Sequence, residues 1–136
     1  MKRKTLFLIL VLLISASVLG ACTGALPASN WSGITADQEM VFLAHGARLF
    51  ALNLETQQEV WRFPVETQNG LFFYAPPVLT ADGQLIAGSY GPSGYNLYSL
   101  NPVNGAVNWT FEEAKGDYIA SPLVTDTAIY AANADG

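Results

Sequence analysis

The sequence predicts an all-β protein: an incomplete β-propeller of about two and a half four-stranded antiparallel blades, preceded by a signal-peptide helix. Three observations predict it. Val41-Phe42-Leu43-Ala44, Leu85-Ile86-Ala87-Gly88 and Ile129-Tyr130-Ala131-Ala132 are short apolar runs whose first residues lie 85 − 41 = 44 and 129 − 85 = 44 positions apart. Longer segments repeat as well. Leu49-Phe50-Ala51-Leu52-Asn53 matches Leu97-Tyr98-Ser99-Leu100-Asn101, and Trp61-Arg62-Phe63 matches Trp109-Thr110-Phe111, both 48 positions on. Finally, no stretch after residue 30 keeps apolar residues at helical spacing for about ten residues.

The first 21 residues read as a targeting segment. Lys2-Arg3-Lys4 precedes the apolar run Leu6 to Ile14 and the small residues Ser15-Ala16-Ser17, which is the charged, apolar and small-residue order of a secretory signal. An uncleaved membrane anchor is the competing reading of this stretch, because a span needs about 20 apolar residues and the run approaches that. The residues that follow favour cleavage between Ala21 and Cys22. Leu19-Gly20-Ala21-Cys22 resembles the lipobox of bacterial lipoproteins, in which small neighbours admit the peptidase and the thiol takes the lipid. Cys22 is the chain's one cysteine, so an internal disulfide is excluded, and a free thiol is the alternative to lipidation. The resemblance implies an acyl anchor at Cys22, and sorting to an outer membrane where the cell has one, since Thr23 follows the cysteine. Residues 22–30, small and turn-forming, suit a flexible tether.

The folded part is expected over residues 31–136, as blades 31–64 and 75–111 and a partial blade 119–136. In the first blade the strands are expected near 32–36, 40–44, 48–53 and 59–63; in the second, near 76–80, 84–88, 96–101 and 107–111. Polar turn formers stand before the matching strands: Thr35-Ala36-Asp37, Thr80-Ala81-Asp82 and Thr125-Asp126-Thr127. The extra four residues of the second unit fall in the Gly/Pro/Tyr loop from Ser89 to Asn96. The chain reaches Gly136 where the first unit is at the same point of its strand order as Gly46, so it is expected to be the N-terminal part of a longer propeller.

The segments from Ala51 to Trp61 and from Ser99 to Trp109 resemble the tryptophan-docking motif of pyrrolo-quinoline-quinone (PQQ)-type β-propellers, which runs Ala-x-Asp, two residues, Thr-Gly, three residues, Trp. The resemblance implies structural docking roles for Ala51, Asn53, Thr56 and Trp61, and for Asn101, Gly105 and Trp109. It implies a glycine turn between the third and fourth strands and a tryptophan packed on the neighbouring blade. Trp61 and Trp109 are therefore expected in the core, and Trp31 at the start of the first strand. This sequence departs from the motif where Asn53 and Asn101 replace the aspartates, Gln57 replaces the first glycine and Asn104 the second threonine. A non-glycine residue at a positive-φ turn costs roughly 1 kcal/mol.

Composition limits the functions. The chain is 51% hydrophobic and 12% charged, which excludes disorder. From Cys22 onward Arg48, Arg62 and Lys115 face all eleven acids, a net 3 − 11 = −8, so nucleic acid would be repelled. The one histidine, His45, falls in a turn and reads as a surface residue. Without further histidines or cysteines there is no zinc constellation and no nucleophilic triad. Glu112, Glu113 and Asp117 form an acidic loop with calcium as its functional reading and solvation as its plain one. With catalytic motifs absent from the sequence, the lipobox and the repeat resemblance imply a membrane-anchored cell-envelope lipoprotein whose propeller is a non-catalytic protein-interaction scaffold, similar to the propeller subunit of the outer-membrane β-barrel assembly machinery. No cofactor is expected in this chain. PQQ and calcium belong to the alternative, the N-terminal part of a PQQ-dependent dehydrogenase; a surface sensor or ligand-binding propeller is the other alternative. Expected partners are the membrane, through the lipid, and other envelope proteins, with self-association through an open blade edge.

Overall fold

The computed structural model describes residues 32–135. The expected signal helix, the cleavage and lipidation site at Ala21 and Cys22, the 22–30 tether and Trp31 lie outside the described residues. Eleven strands are found among the described residues: β1 (Gly33–Ala36), β2 (Met40–His45), β3 (Arg48–Asn53), β4 (Glu59–Phe63), β5 (Phe72–Phe73), β6 (Val78–Leu79), β7 (Leu85–Tyr90), β8 (Leu97–Leu100), β9 (Val107–Phe111), β10 (Leu123–Val124) and β11 (Ile129–Tyr130).

The first sheet is an antiparallel meander in the order β1-β2-β3-β4. Its register follows the alternation of the sequence: Phe42 and Ala44 on β2, and Leu49 and Ala51 on β3, turn to one face and are almost wholly buried. The second sheet repeats this meander as β6-β7-β8-β9. The two copies agree in detail, since each has a register irregularity in the third strand, at Ala51/Leu52 and at Ser99/Leu100. A third unit contributes the β10-β11 pair.

The first strand of the second blade departs from the expected 76–80. It is split in two, with β5 pairing the end of β7 and β6 its start. Ala75-Pro76-Pro77 separates the pieces, and two successive prolines remove the amide donors a continuous ladder requires.

Two cores lie between sheets. The first joins Phe42, Leu49 and Trp61 of one blade to Phe73, Leu85, Tyr98 and Leu100 of the next. Phe63 bridges it, edge-on to Tyr98 at 5.1 Å and to Phe73 at 6.0 Å. The second core gathers Ile86, Leu97 and Tyr118 with the flanking Val124 and Ile129 of the third unit. Strand β7 therefore serves both, Leu85 and Ala87 on one face and Ile86 on the other, which is why it is buried through five consecutive residues. Tyr118 reaches this position because Gly88 has no side chain: a Cβ there would lie 2.4 Å from the Tyr118 Cβ.

Candidate functional site: the turns and tryptophans between blades

The turn joining the third and fourth strands has the same backbone hydrogen bonds in both blades, and in each an asparagine side chain accepts within it. Asn53 Oδ1 accepts from the amides of Glu55 at 3.0 Å and Thr56 at 2.8 Å, and from the Thr56 hydroxyl at 3.1 Å. In the second blade Asn101 Oδ1 accepts from Val103 N–H at 2.9 Å. An asparagine thus supplies the acceptor where the motif has aspartate; one side-chain oxygen is all the turn uses. Gln57 N–H donates to the Asn53 carbonyl and Gly105 N–H to the Asn101 carbonyl, both at 2.8 Å. The backbone is left-handed at each, with φ of 56° at Gln57 and 72° at Gly105.

Trp61 lies over the second of these turns. Its side chain is 7% exposed, its indole N–H donates to the Pro102 carbonyl at 2.8 Å, and a Cβ on Gly105 would sit 2.7 Å from its ring. Ala51, wholly buried, is its cross-strand partner. Gly105 is therefore needed twice, for its positive φ and for the bare surface against which the indole rests.

Trp109, expected in the core like Trp61, is 36% exposed. Among the described residues no second turn of this kind covers it, and its indole N–H instead donates to Gln84 Oε1 at 2.9 Å within its own blade. Gln84 organises a small polar network: its Oε1 also accepts from the buried Ser99 hydroxyl at 2.5 Å, and its Nε2 donates to Asp82 Oδ2 at 2.7 Å. Hydrogen bonds from Thr80 and Gln84 hold the Asp82 carboxyl below the usual carboxylate range. Asn108 Nδ2 completes the network by donating to Ser99 Oγ at 3.1 Å. Sequence reasoning did not single out Gln84. The signal was its place in the repeat, where the first blade has the half-buried apolar Met40.

Beside this network the Thr80–Gln84 turn and the Thr125–Ala128 turn flank an open groove of about 630 Å³. Each turn is closed by its threonine hydroxyl, which accepts from Gln84 N–H at 2.8 Å and from Ala128 N–H at 3.1 Å.

Of the residues considered for other chemistry, His45 and Asp117 have structural partners. His45 is exposed at the end of β2, with Nδ1 2.7 Å from Ser32 Oγ. Asp117 of the acidic loop accepts from Gly91 N–H at 2.8 Å, pinning the loop after β7, while Glu112 and Glu113 face solvent. Among the described residues no group of three or more His, Cys, Asp or Glu side chains is placed to hold a metal ion.

Successive four-stranded antiparallel meanders, packed face to face through shared cores, define the class: these are blades of a β-propeller. The comparison with solved structures agrees. The crystal structure of BamB from Moraxella catarrhalis is similar at a TM-score of 0.58 and 20% sequence identity, over 76% of this chain and 34% of that one. The chain thus spans about a third of the length of that propeller. No protein-family model matches the chain, and no curated protein matches its sequence.

Proposed function

We propose that the chain is a membrane-anchored cell-envelope lipoprotein whose PQQ-like propeller blades act as a non-catalytic scaffold for other envelope proteins. The observation that carries this reading is the propeller fold shared with BamB. Two features support it: the lipobox-like Leu19-Gly20-Ala21-Cys22, and the open apolar side chains Trp109, Phe111 and Leu123, each more than a third exposed. In this reading the mature chain begins at acylated Cys22, on the extracytoplasmic side of the membrane, and in the outer membrane where there is one. Its partners are integral or lipidated proteins of that membrane, similar to the β-barrel assembly machinery.

The test has two arms. Radiolabelled fatty acid enters the wild type and not Cys22→Ser, and the chain extracted in mild detergent co-purifies with an integral β-barrel protein of its membrane. Equal labelling of both forms overturns the anchor; a chain that leaves the membrane alone overturns the scaffold. Titration with PQQ and calcium leaves the melting curve unchanged, and a saturable upward shift would replace the scaffold with the dehydrogenase reading.

A further inference from the structure

The interblade contact is directional. One blade supplies a tryptophan from its fourth strand and the next receives it on its third-to-fourth-strand turn. Here the first blade gives Trp61 and the second receives it at Pro102 and Gly105. The equivalent turn of the first blade, Leu54 to Gln57, shares the backbone hydrogen bonds and left-handed backbone of its counterpart but carries Gln57 at the glycine position. Over Gly105 the indole ring occupies the place of a Cβ, at 2.7 Å. Gln57 has that Cβ, with four further side-chain heavy atoms beyond it, so the same approach is sterically closed.

We propose that Gln57 is a specificity determinant that closes the first blade's turn to an incoming tryptophan, so that these blades accept a neighbour through this contact only on the Trp109 face. The occupant of that face is a blade whose third-to-fourth-strand turn carries glycine at the docking position and a carbonyl three residues before it, as Gly105 and Pro102 do. The Trp109 face continues the interface already present: Trp109 stands 48 positions after Trp61 on a strand with the same pairing, Ser99 opposite Trp109 as Ala51 is opposite Trp61. Two copies of the chain then do not join head to tail through Trp109, because the dock that a second copy offers holds Gln57.

Changing Gln57 tests both halves at once, since Gln57→Gly turns the first blade of a second copy into the glycine dock that Trp109 fits. Sedimentation of the full chain in detergent is compared for wild type, Gln57→Gly and Gln57→Ala, each with and without Trp109→Ala, with far-ultraviolet melting to confirm folding. In Gln57→Gly, Trp109→Ala weakens self-association at least tenfold. In wild type and in Gln57→Ala, which keeps the Cβ, Trp109→Ala changes it less than twofold. Association through open strand edges adds the same background to both members of a pair, so the tenfold effect is read on the Trp109-dependent part above that background. A Trp109 dependence in wild type, or none in Gln57→Gly, overturns the proposal, as does Gln57→Ala behaving like Gln57→Gly. As an internal control, Gly105→Ala displaces Trp61, and its fluorescence shifts to the red.

Discussion

Trp61 and Trp109 occupy equivalent positions in the repeat and differ in what covers them. Trp61 is wedged between two blades, tilted against Phe42 at 6.0 Å and capped by the Pro102 carbonyl, so its loss leaves a cavity in a shared core. Trp109 keeps over a third of its surface in solvent and is held by one hydrogen bond to Gln84. Truncation therefore has unequal effects: Trp61→Ala costs about 3–5 kcal/mol, and Trp109→Ala about 1–2 kcal/mol. Chemical denaturation of the two variants against wild type measures the difference. Equal losses would show that Trp109 is as fully enclosed in solution as Trp61. The repeat marked both residues, but a repeat position says nothing about whether a neighbour is present to cover it. In the same way, it could not show that the indole of Trp109 would turn to Gln84, since the first blade has no amide at that place.

At the scale of the element, the strands that were legible are those with a clear alternation between turn formers, such as 40–44 and 48–53, where burying one face requires a period of two. Less legible was the start of the second blade. Phe72-Phe73 has too short a pattern to stand out, and its pairing with Tyr90 and Ser89 depends on the Pro76-Pro77 break that places it beside the far end of β7. This pairing builds an aromatic corner, with Phe72 5.4 Å and Tyr74 5.7 Å from the Tyr90 ring. Burial, then the proximity of Tyr74 and Asp117, raises the Tyr90 phenol above its ordinary value. A raised phenol means that the folded state disfavours the phenolate. The contribution is fully present below the unfolded value near pH 10 and is lost as the pH rises through the folded one. The melting temperature of wild type accordingly falls more steeply between pH 9 and 11, a window set about the ordinary tyrosine value, than that of Tyr90→Phe. Parallel curves for the two proteins would place Tyr90 in solvent and contradict the corner.

Across the whole molecule, burial is uneven, and the unevenness predicts how the chain behaves. The first two blades close on each other over a continuous core, and the second blade's other face is covered in part by Tyr118 and the β10-β11 pair. Among the described residues β11 pairs with β10 alone, so one of its edges presents unpaired backbone donors and acceptors. The side chains beside that edge are apolar and open, Leu123 at 63% and Tyr130 at 61% exposure. An unpaired edge is a template for strand addition that shortness and charge both blunt; this edge is short, but neither β10 nor β11 contains a charged residue to guard it. Residues 22–136 made on their own are therefore expected to self-associate through β11, with an average mass that rises with concentration. Placing a lysine at the edge, Tyr130→Lys, supplies the missing charge and shifts the distribution toward monomer. It leaves the melting temperature within a few degrees, because an exposed substitution changes stability by only about 0.5 kcal/mol. Sedimentation at several concentrations reads the outcome. A wild type that stays monomeric, or a Tyr130→Lys variant that associates just as strongly, would show that β11 is not the edge through which copies meet.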